Sequence, residues 1–343
     1  MSSHKNIDSA DMIGKIKSFP GQLLAGFDLG VAAWQSLKTD PKMMVIAGMG
    51  ASATGGDLLR LYLTGRSQVP TFVFRDFNLP VFVKRGALVI VSSYSGDTEE
   101  ALSCLDDAVA KGADVVCVTS GGRLLQEARS RALPHVVLPA GFPPRASLGY
   151  SFSALLALAW KVGICTDPSG ELKECAEYLE ETSGRYFGDS PGNEASRLAA
   201  DLETRIPIIC CSGALDAVGL RWKNQFCENS KRLAFVSVFP EANHNDVMGW
   251  EGRDIPLKAG IVVLRTADEH PTVAEVLSRA REIFAEKALF CGEFWGVGIS
   301  LLCRMFSLIL LGDYASYYLA LRNGVDPTPI ATIEKIKALL RTG

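Results

Sequence analysis

Residues 44–57 read MVIAGMGASATGGD, a short apolar run followed by glycines and hydroxyl residues. Leucine-rich residues 58–63 come next, and this order predicts a strand, a tight turn and a helix. Gly48 and Gly50 can adopt positive φ and let another group approach the backbone closely. The predicted helix directs unpaired N–H groups and its positive dipole end at this gap, where Ser52 and Thr54 add hydroxyls. The turn suits a phosphate group, although a turn without a ligand would have the same features.

The turn differs from two common nucleotide sites. No glycine stands three residues after Gly50, as the dinucleotide fingerprint requires, and no Lys-Ser or Lys-Thr pair ends the loop, as a P-loop requires. A nucleotide-dependent oxidoreductase with Asp76 as the ribose-binding acid remains an alternative that this spacing disfavours.

Length and composition limit the classes of protein to consider. The chain has 343 residues, 48% of them hydrophobic, and a net charge of −3. It is long enough for two domains, and its charge gives no reason to expect nucleic acid or an acidic membrane surface as a partner. Residues 1–6 lack a signal-peptide pattern, and the apolar run 294–311 carries Arg304, which favours a buried helix over a membrane span.

The cysteines indicate a reducing compartment. There are nine of them, an odd number without a CxxC pair, and most lie in apolar runs. Such cysteines are typical of buried thiols rather than of a disulfide framework. We therefore expect a cytoplasmic protein.

Apolar runs and helical patterns alternate twice along the chain. Residues 1–42 look mainly helical, with an amphipathic piece over 26–37, and near-continuous Val/Ile runs then alternate with helices. This rhythm indicates a parallel sheet covered on both faces, and it restarts at residue 206. We expect an α/β fold of two similar domains, each a mainly parallel sheet flanked by helices. The expected parts are an N-terminal domain over 1–165, a helical connection over 166–205 around the loop 188–192, and a C-terminal domain over 206–343 with a helical tail at 294–322 and 329–340.

A second turn resembles the first. Residues 91–100 read VSSYSGDTEE, which again follows a buried strand and opens a helix. Ser95 or Asp97 could serve only as helix caps, with Glu99 and Glu100 favouring the dipole. Two such turns at neighbouring strand ends make a better phosphate site than one, because ligands bind at the carboxyl edge of parallel sheets. The acidic residues favour a single phosphoester over a polyphosphate.

These two turns are similar to those of the sugar isomerase (SIS) domain, a sugar-phosphate-binding α/β fold. Five further stretches narrow the resemblance to the bifunctional phosphoglucose/phosphomannose isomerase family, which it follows over about residues 40–340. They are residues 144–147 (PRAS), 223–231 (KNQFCENSK), 240–245 (PEANHN), 326–329 (DPTP) and Lys335. Thr54 and Asp97 depart slightly from the family's pattern.

The resemblance assigns the proton-transferring base to Glu228. An aldose–ketose isomerase needs a carboxylate that takes a proton from C2 and returns it to C1. Without the resemblance, a surface glutamate paired with Lys231 or Arg232 would be the simpler explanation.

The resemblance assigns ring opening to His244, which a histidine suits because it titrates near neutral pH. The other three histidines lie in the N-terminal tail, at a strand start and at a helix start, and a lone loop histidine is otherwise usually just solvated. In the family the equivalent histidine comes from the partner subunit, which implies a homodimer.

The remaining roles also come from the resemblance. It implies that Arg145, otherwise a surface loop arginine, stabilises the enediolate and that Lys335 lies near the ring oxygen, with Lys337 an equally plausible lysine on the sequence alone. It implies that Thr328 helps to accept mannose 6-phosphate. The implied phosphate ligands are Gly50, Ser52, Ser93, Ser95 and Thr98.

The expected activity is metal-independent interconversion of fructose 6-phosphate with glucose 6-phosphate and mannose 6-phosphate. No cofactor is implied, and the four dispersed histidines and unpaired cysteines lack the usual spacings of a zinc site. The alternative from another class is a SIS module that binds sugar phosphates as a sensor, without chemistry. Such a module often carries a basic DNA-binding extension, which is not evident at this N-terminus.

Overall fold

A computed structural model describes residues 7–34, 40–188, 192–252 and 258–341 of the chain. The helices are α1 (Met12–Lys17), α2 (Phe19–Ala32), α3 (Gly50–Leu63), α4 (Glu99–Ala110), α5 (Gly122–Ser130), α6 (Leu148–Lys161), α7 (Ser169–Tyr186), α8 (Glu194–Leu202), α9 (Asp216–Glu228), α10 (Pro271–Lys287), α11 (Leu301–Arg322) and α12 (Ala331–Arg341). The strands are β1 (Met43–Gly48), β2 (Thr71–Phe74), β3 (Ala87–Ser92), β4 (Asp114–Thr119), β5 (His135–Val137), β6 (Ile206–Ser212), β7 (Phe235–Phe239), β8 (Ala259–Arg265) and β9 (Phe290–Trp295).

The chain forms two compact units. The first, here the N-unit, consists of Lys17–Glu181 and Gly298–Phe306. The second, here the C-unit, consists of Thr182–Val297 together with the chain before Lys17 and after Phe306.

The N-unit is built on a five-stranded parallel sheet in the order β2-β1-β3-β4-β5. Strand β3 is buried over its whole length, as is expected when helices cover both faces of a parallel sheet. On one face, α4 and α5 contribute Leu105 and Leu124 to the core. On the other face, α2 packs closely against α6. Gly26 permits this approach, because a Cβ there would lie only 2.6 Å from the carbonyl oxygen of Tyr150.

The C-unit contains a four-stranded parallel sheet in the order β7-β6-β8-β9. Its core includes Phe239 from β7 and Leu277 from α10. Trp250 contacts Phe284 with ring centroids 4.5 Å apart and ring planes tilted by 31°, so the segment after β7 is packed against α10.

The predicted fold class, two parallel sheets flanked by helices and followed by a helical C-terminal segment, is confirmed. The inner strands coincide with the near-continuous apolar runs of the sequence, and most of their residues are buried. Parts of two predictions, residues 35–37 of the amphipathic N-terminal piece and 189–191 of the connecting loop, lie outside the described residues.

The prediction that residues 294–322 are helical was wrong at its start. Strand β9 ends at Trp295, and α11 begins at Leu301. Among the described strands it pairs with β8 alone, so it lies at the sheet edge, and its residues are half-buried or exposed. It includes Gly292 and Glu293, and it therefore lacks the continuous apolar run that marked the inner strands.

The cysteines are all free thiols, and most are buried. Burial raises the pKa of Cys104 to about 11 and that of Cys117 to about 12, so both stay protonated near neutral pH. Among the described residues, no helix is long and apolar enough to cross a membrane.

Candidate active site

The first turn links β1 to α3. Gly50 has a φ of +51°, which favours glycine at this position. A Cβ on Gly48 would lie 2.5 Å from the carbonyl oxygen of Ser92, so only glycine lets the ends of β1 and β3 approach this closely. The N-terminus of the fourteen-residue helix α3 therefore opens at the carboxyl edge of the sheet, where an anion is favoured.

The second turn links β3 to α4 and is held by its own side chains. Ser93 Oγ donates to Thr98 Oγ1 at 2.9 Å and accepts from the N–H of Gly96 at 3.2 Å. The N–H of Asp97 donates to Ser95 Oγ at 3.3 Å. Because the Ser93 proton is used within the turn, the Thr98 hydroxyl keeps its own proton to donate elsewhere.

One hydrogen bond joins the two turns. The N–H of Tyr94 donates to Ser52 Oγ over 3.1 Å, and Ser52 and Tyr94 are 6% and 7% exposed. Ser52 is therefore oriented by the second turn, although 42 residues separate it from Tyr94. The structure brings the five predicted phosphate ligands into one region of the N-unit: Gly50, Ser52, Ser93, Ser95 and Thr98.

A third turn, after β4, supports the second and was not predicted to take part. Ser120 Oγ donates to the carbonyl oxygen of Tyr94 at 2.6 Å. Gly96 has a φ of +74°, and a Cβ there would lie 1.9 Å from the carbonyl oxygen of Gly121. These contacts join turns more than twenty residues apart, so local sequence patterns do not reveal them.

Arg123, which was also not predicted as a site residue, interacts with the acidic residues of the second turn. Asp97 Oδ1 accepts from the N–H of Arg123 at 3.1 Å and lies 3.7 Å from its Nε. Glu99 accepts a hydrogen bond from the same guanidinium group. Arg123 thereby offsets the negative charge beside the turn.

The Tyr94 ring fixes the loop that precedes Arg145. Burial raises the pKa of Tyr94, so its hydroxyl stays protonated and donates to the carbonyl oxygen of Pro139 at 2.7 Å. The N–H of Phe142 donates to the same hydroxyl oxygen at 3.1 Å. The loop is thus attached to the second turn at two points.

Arg145 lies in the 3₁₀ helix Pro144–Ser147 and is only 2% exposed. The alternative of a solvated surface arginine is therefore wrong. Gln22 of α2 holds this helix by donating from Nε2 to the carbonyl oxygen of Ala146 at 2.8 Å. A guanidinium group stays charged when it is buried, so the N-unit holds a fixed positive charge here.

In the C-unit, Glu228 is the last residue of α9 and is half-buried. Lys231 Nζ donates to the backbone carbonyl of Glu228 at 2.6 Å and contacts that of Pro327 at 3.5 Å. A groove of about 500 Å³ runs beside them, and its walls include Glu228, Lys231 and Pro329. Glu228 therefore lies near the loop that carries Thr328, whose N–H donates to Asp326 at 2.9 Å.

His244 lies in the 3₁₀ helix Glu241–His244 and is exposed. It follows β7, whereas Glu228 precedes it at the end of the helix that crosses from β6 to β7. In such a crossover the helix returns to the amino edge of the sheet, and a five-residue strand spans about 17 Å. The C-unit therefore keeps Glu228 and His244 at opposite ends of β7.

Both candidate lysines lie on α12 and are exposed. Lys335 and Lys337 are two residues apart, so they point about 200° apart around the helix axis. Only one of them can face a given site, and the choice between them stays open. Among the described residues, no group of three or more His, Cys, Asp or Glu side chains could hold a metal ion.

Comparison with known proteins shows the family of this chain. The model of the bacterial phospho-glucose isomerase C-terminal SIS domain matches residues 192–340. A bifunctional phosphoglucose/phosphomannose isomerase from Caldicellulosiruptor bescii is 38% identical over 95% of this chain and 98% of its own length. The chain belongs to the bifunctional phosphoglucose/phosphomannose isomerase family. Another member, from Aquifex aeolicus, is 34% identical over 90% of this chain and 94% of its own length.

The fold is also that of distant solved structures. Tagatose-6-phosphate ketose/aldose isomerase from Escherichia coli superposes with a TM-score of 0.71 at 14% identity, over 94% of this chain and 96% of its own. The resemblance to the family that the two turns and five further stretches suggested is confirmed.

We predict that Ser52 contributes more to stability than Ser95, because Ser52 forms the hydrogen bond that joins the two turns. Replacing Ser52 with Ala leaves the buried N–H of Tyr94 without its acceptor, which we expect to cost about 1–3 kcal/mol of stability. Replacing exposed Ser95 with Ala should change stability by less than about 0.5 kcal/mol. Thermal unfolding of the two variants beside the parent chain measures the difference. Equal melting temperatures for Ser52→Ala and Ser95→Ala would contradict this account of the turns.

Proposed function

We propose that this chain interconverts fructose 6-phosphate with glucose 6-phosphate and mannose 6-phosphate through a cis-enediol. The pair of hydroxyl-rich turns, joined by Ser52 at the carboxyl edge of one sheet, carries the proposal. It offers neutral donors and a helix N-terminus to a single phosphate group. The substrates in the name of the family, phosphoglucose and phosphomannose, each carry such a group.

The turns would hold the phosphate at one end of the sugar. The buried Ser52 and Ser93 supply the tightly held part of this cradle, while Gly50, Ser95 and Thr98 lie nearer its surface. Because the cradle is formed by hydrogen bonds between buried groups, it needs little rearrangement to bind. The binding energy of the phosphate can then position the distant C1 and C2 atoms.

Glu228 would transfer the proton. Its carboxylate takes a proton from C2 of the open-chain aldose and returns it to C1, while the hydroxyl proton on O2 is transferred to O1, so that the aldose becomes the ketose through the enediol. The charge that develops on the substrate oxygens would be stabilised by Arg145, which stays protonated throughout. The half-buried position of Glu228 beside a groove supports this role.

His244 and Lys335 would open the sugar ring. The imidazole exchanges a proton with the ring oxygen or the anomeric hydroxyl, and the lysine ammonium group stabilises the ring oxygen as the bond breaks. Lys337 is the alternative for the second role. Thr328 would leave room for the C2 epimer, which admits mannose 6-phosphate.

We place His244 in the active site of a partner subunit, so that the functional form is a homodimer. The separation of Glu228 and His244 by the length of β7 supports this arrangement, as does the exposure of His244. We also place the enzyme in the cytoplasm, in glycolysis and gluconeogenesis. Its nine free thiols suit a reducing compartment.

Mixing two inactive variants tests the shared site. Glu228→Gln and His244→Ala should each be inactive alone, but random reassembly at equal amounts should restore about a quarter of the parent activity. Half of the dimers are then mixed, and each mixed dimer has one intact site of two. Mixing Glu228→Gln with Arg145→Ala is the control, because no intact site can form. Failure of the first mixture to regain activity, after exchange is verified by mass spectrometry, would refute a shared site.

The alternative is a sensor that binds sugar phosphate without turnover, and Glu228→Gln separates the two. We expect this variant to lose about 10²- to 10⁴-fold in kcat, because the amide cannot accept the C2 proton. Fructose 6-phosphate should raise the melting temperature of this variant by about as much as that of the parent chain, because the phosphate turns are intact. A parent chain that is protected by the ligand but gives no product would favour the sensor.

A further inference from the structure

A fully buried polar cluster follows Glu228 directly. Asn229 and Ser230 are 0% and 1% exposed, and Ser316, in the middle of α11, is 0% exposed. All three lie in the C-unit. Polar groups in such a position are costly unless they are paired, so the cluster calls for an explanation beyond packing.

Ser316 accepts a hydrogen bond from each of the two residues that follow Glu228. Asn229 Nδ2 donates to Ser316 Oγ at 2.9 Å, and Ser230 Oγ donates to the Ser316 carbonyl oxygen at 2.7 Å. The Ser316 hydroxyl in turn donates to the carbonyl oxygen of Asp313 at 2.8 Å. At the end of α11, Asn323 Nδ2 donates to the Ser230 carbonyl oxygen at 3.0 Å. The two residues after Glu228 are therefore tied by two hydrogen bonds to Ser316 of α11 and by a third to Asn323, the residue that follows α11.

The body of α9 has separate attachments to the same helix. Arg221 forms a buried ion pair with Asp313, with Nη2 and Oδ2 2.7 Å apart. Trp222 Nε1 donates to the carbonyl oxygen of Leu308 at 2.8 Å. These contacts hold α9 two turns before Glu228, so the bonds to Ser316 are not needed to keep α9 against α11. The bonds to Ser316 instead fix the last turn of α9.

We propose that Ser316 and Asn229 are positioning residues for the Glu228 carboxylate. The inference rests on the proposed role of Glu228 as the base. A base must be held within about 0.5 Å of its productive position, yet Glu228 is the last residue of its helix, where helices fray. The bonds from Asn229 and Ser230 to Ser316 prevent this movement and set the direction in which the glutamate side chain leaves the helix.

Removal of the Ser316 hydroxyl would release this turn. In Ser316→Ala the Asn229 amide loses the hydroxyl oxygen of Ser316 as an acceptor in a buried environment. The end of α9 then gains by moving until the amide finds water or another acceptor, and Glu228 moves with it. The phosphate turns and Arg145 belong to the N-unit, so we expect ground-state binding to change much less than turnover.

The experiment compares Ser316→Ala with Tyr314→Phe on the same helix. The Tyr314 hydroxyl shares a 2.7 Å hydrogen bond with Ser183 Oγ of α7, and both side chains are buried. Like Ser316→Ala, the control removes a buried hydroxyl group of α11 and its hydrogen bond. That bond joins α11 to α7, whereas the Ser316 bond joins α11 to the end of α9. Steady-state kinetics with fructose 6-phosphate and thermal unfolding are measured for both variants and the parent chain.

We expect Ser316→Ala to lower kcat by about 10- to 100-fold, with KM within about twofold of the parent value. Tyr314→Phe should keep both constants within about twofold, even where the two variants lose similar amounts of thermal stability. Should Ser316→Ala not fold, Asn229→Ala removes the same bond from its other side and leaves Ser316 bonded to Asp313; it should show the same selective loss of kcat.

Two results would overturn the proposal. One is a kcat of Ser316→Ala, or of Asn229→Ala in its place, within twofold of the parent value. The other is an equal loss of kcat in Tyr314→Phe, which would make the effect one of general stability. Failure of the proposed function is a distinct result, because the parent chain itself would then give no turnover in the same assay.

Discussion

The hydrogen bond from the N–H of Tyr94 to Ser52 Oγ is the contact on which the rest of the N-unit site depends. It joins two turns that parallel pairing has already placed side by side, with Gly48 opposite Ser92 in the register of β1 and β3. Around it, Gly96 makes room for the third turn, and the Tyr94 ring carries the loop before Arg145. A parallel sheet thus collects hydroxyls and helix N-termini at one edge, and a few buried bonds turn that edge into a fixed site.

The C-unit arranges its candidate residues by a different constraint. The crossover between the parallel strands β6 and β7 places the end of α9 at one edge of the sheet and the loop after β7 at the other. Glu228 and His244 are thereby separated, and His244 is left on an exposed 3₁₀ helix. The last turn of α9 is instead connected inward, through Asn229 and Ser230, to the centre of α11. The separation of the two groups supports the proposal that a second subunit completes the site.

Much of the fold could be predicted from the sequence. Inner strands such as β3 and β8 are continuous buried runs, so apolar pattern and flanking turns located them closely. Strand β9 escaped prediction because an edge strand is half-buried and its residues, among them Gly292 and Glu293, carry no continuous apolar signal.

The site was partly predictable. Glycine and serine spacing marked the two turns because turn chemistry is local. The burial of Arg145 could not be read from PPRAS, since it depends on α2 and Gln22 more than a hundred residues earlier. The roles of Tyr94, Arg123 and Ser316 likewise rest on contacts between distant parts of the chain.

All the roles proposed here depend on one activity, the transfer of a proton between C1 and C2 of a hexose phosphate through an enediol. The most direct test is proton NMR of the purified protein with fructose 6-phosphate in deuterated water, without added metal or nucleotide. We expect glucose 6-phosphate and mannose 6-phosphate both to appear and to carry deuterium at C2. Glucose 6-phosphate alone would keep the enediol route and remove the role given to Thr328. Absence of any product, while fructose 6-phosphate still protects the protein against heat, would contradict this activity and leave a binding module.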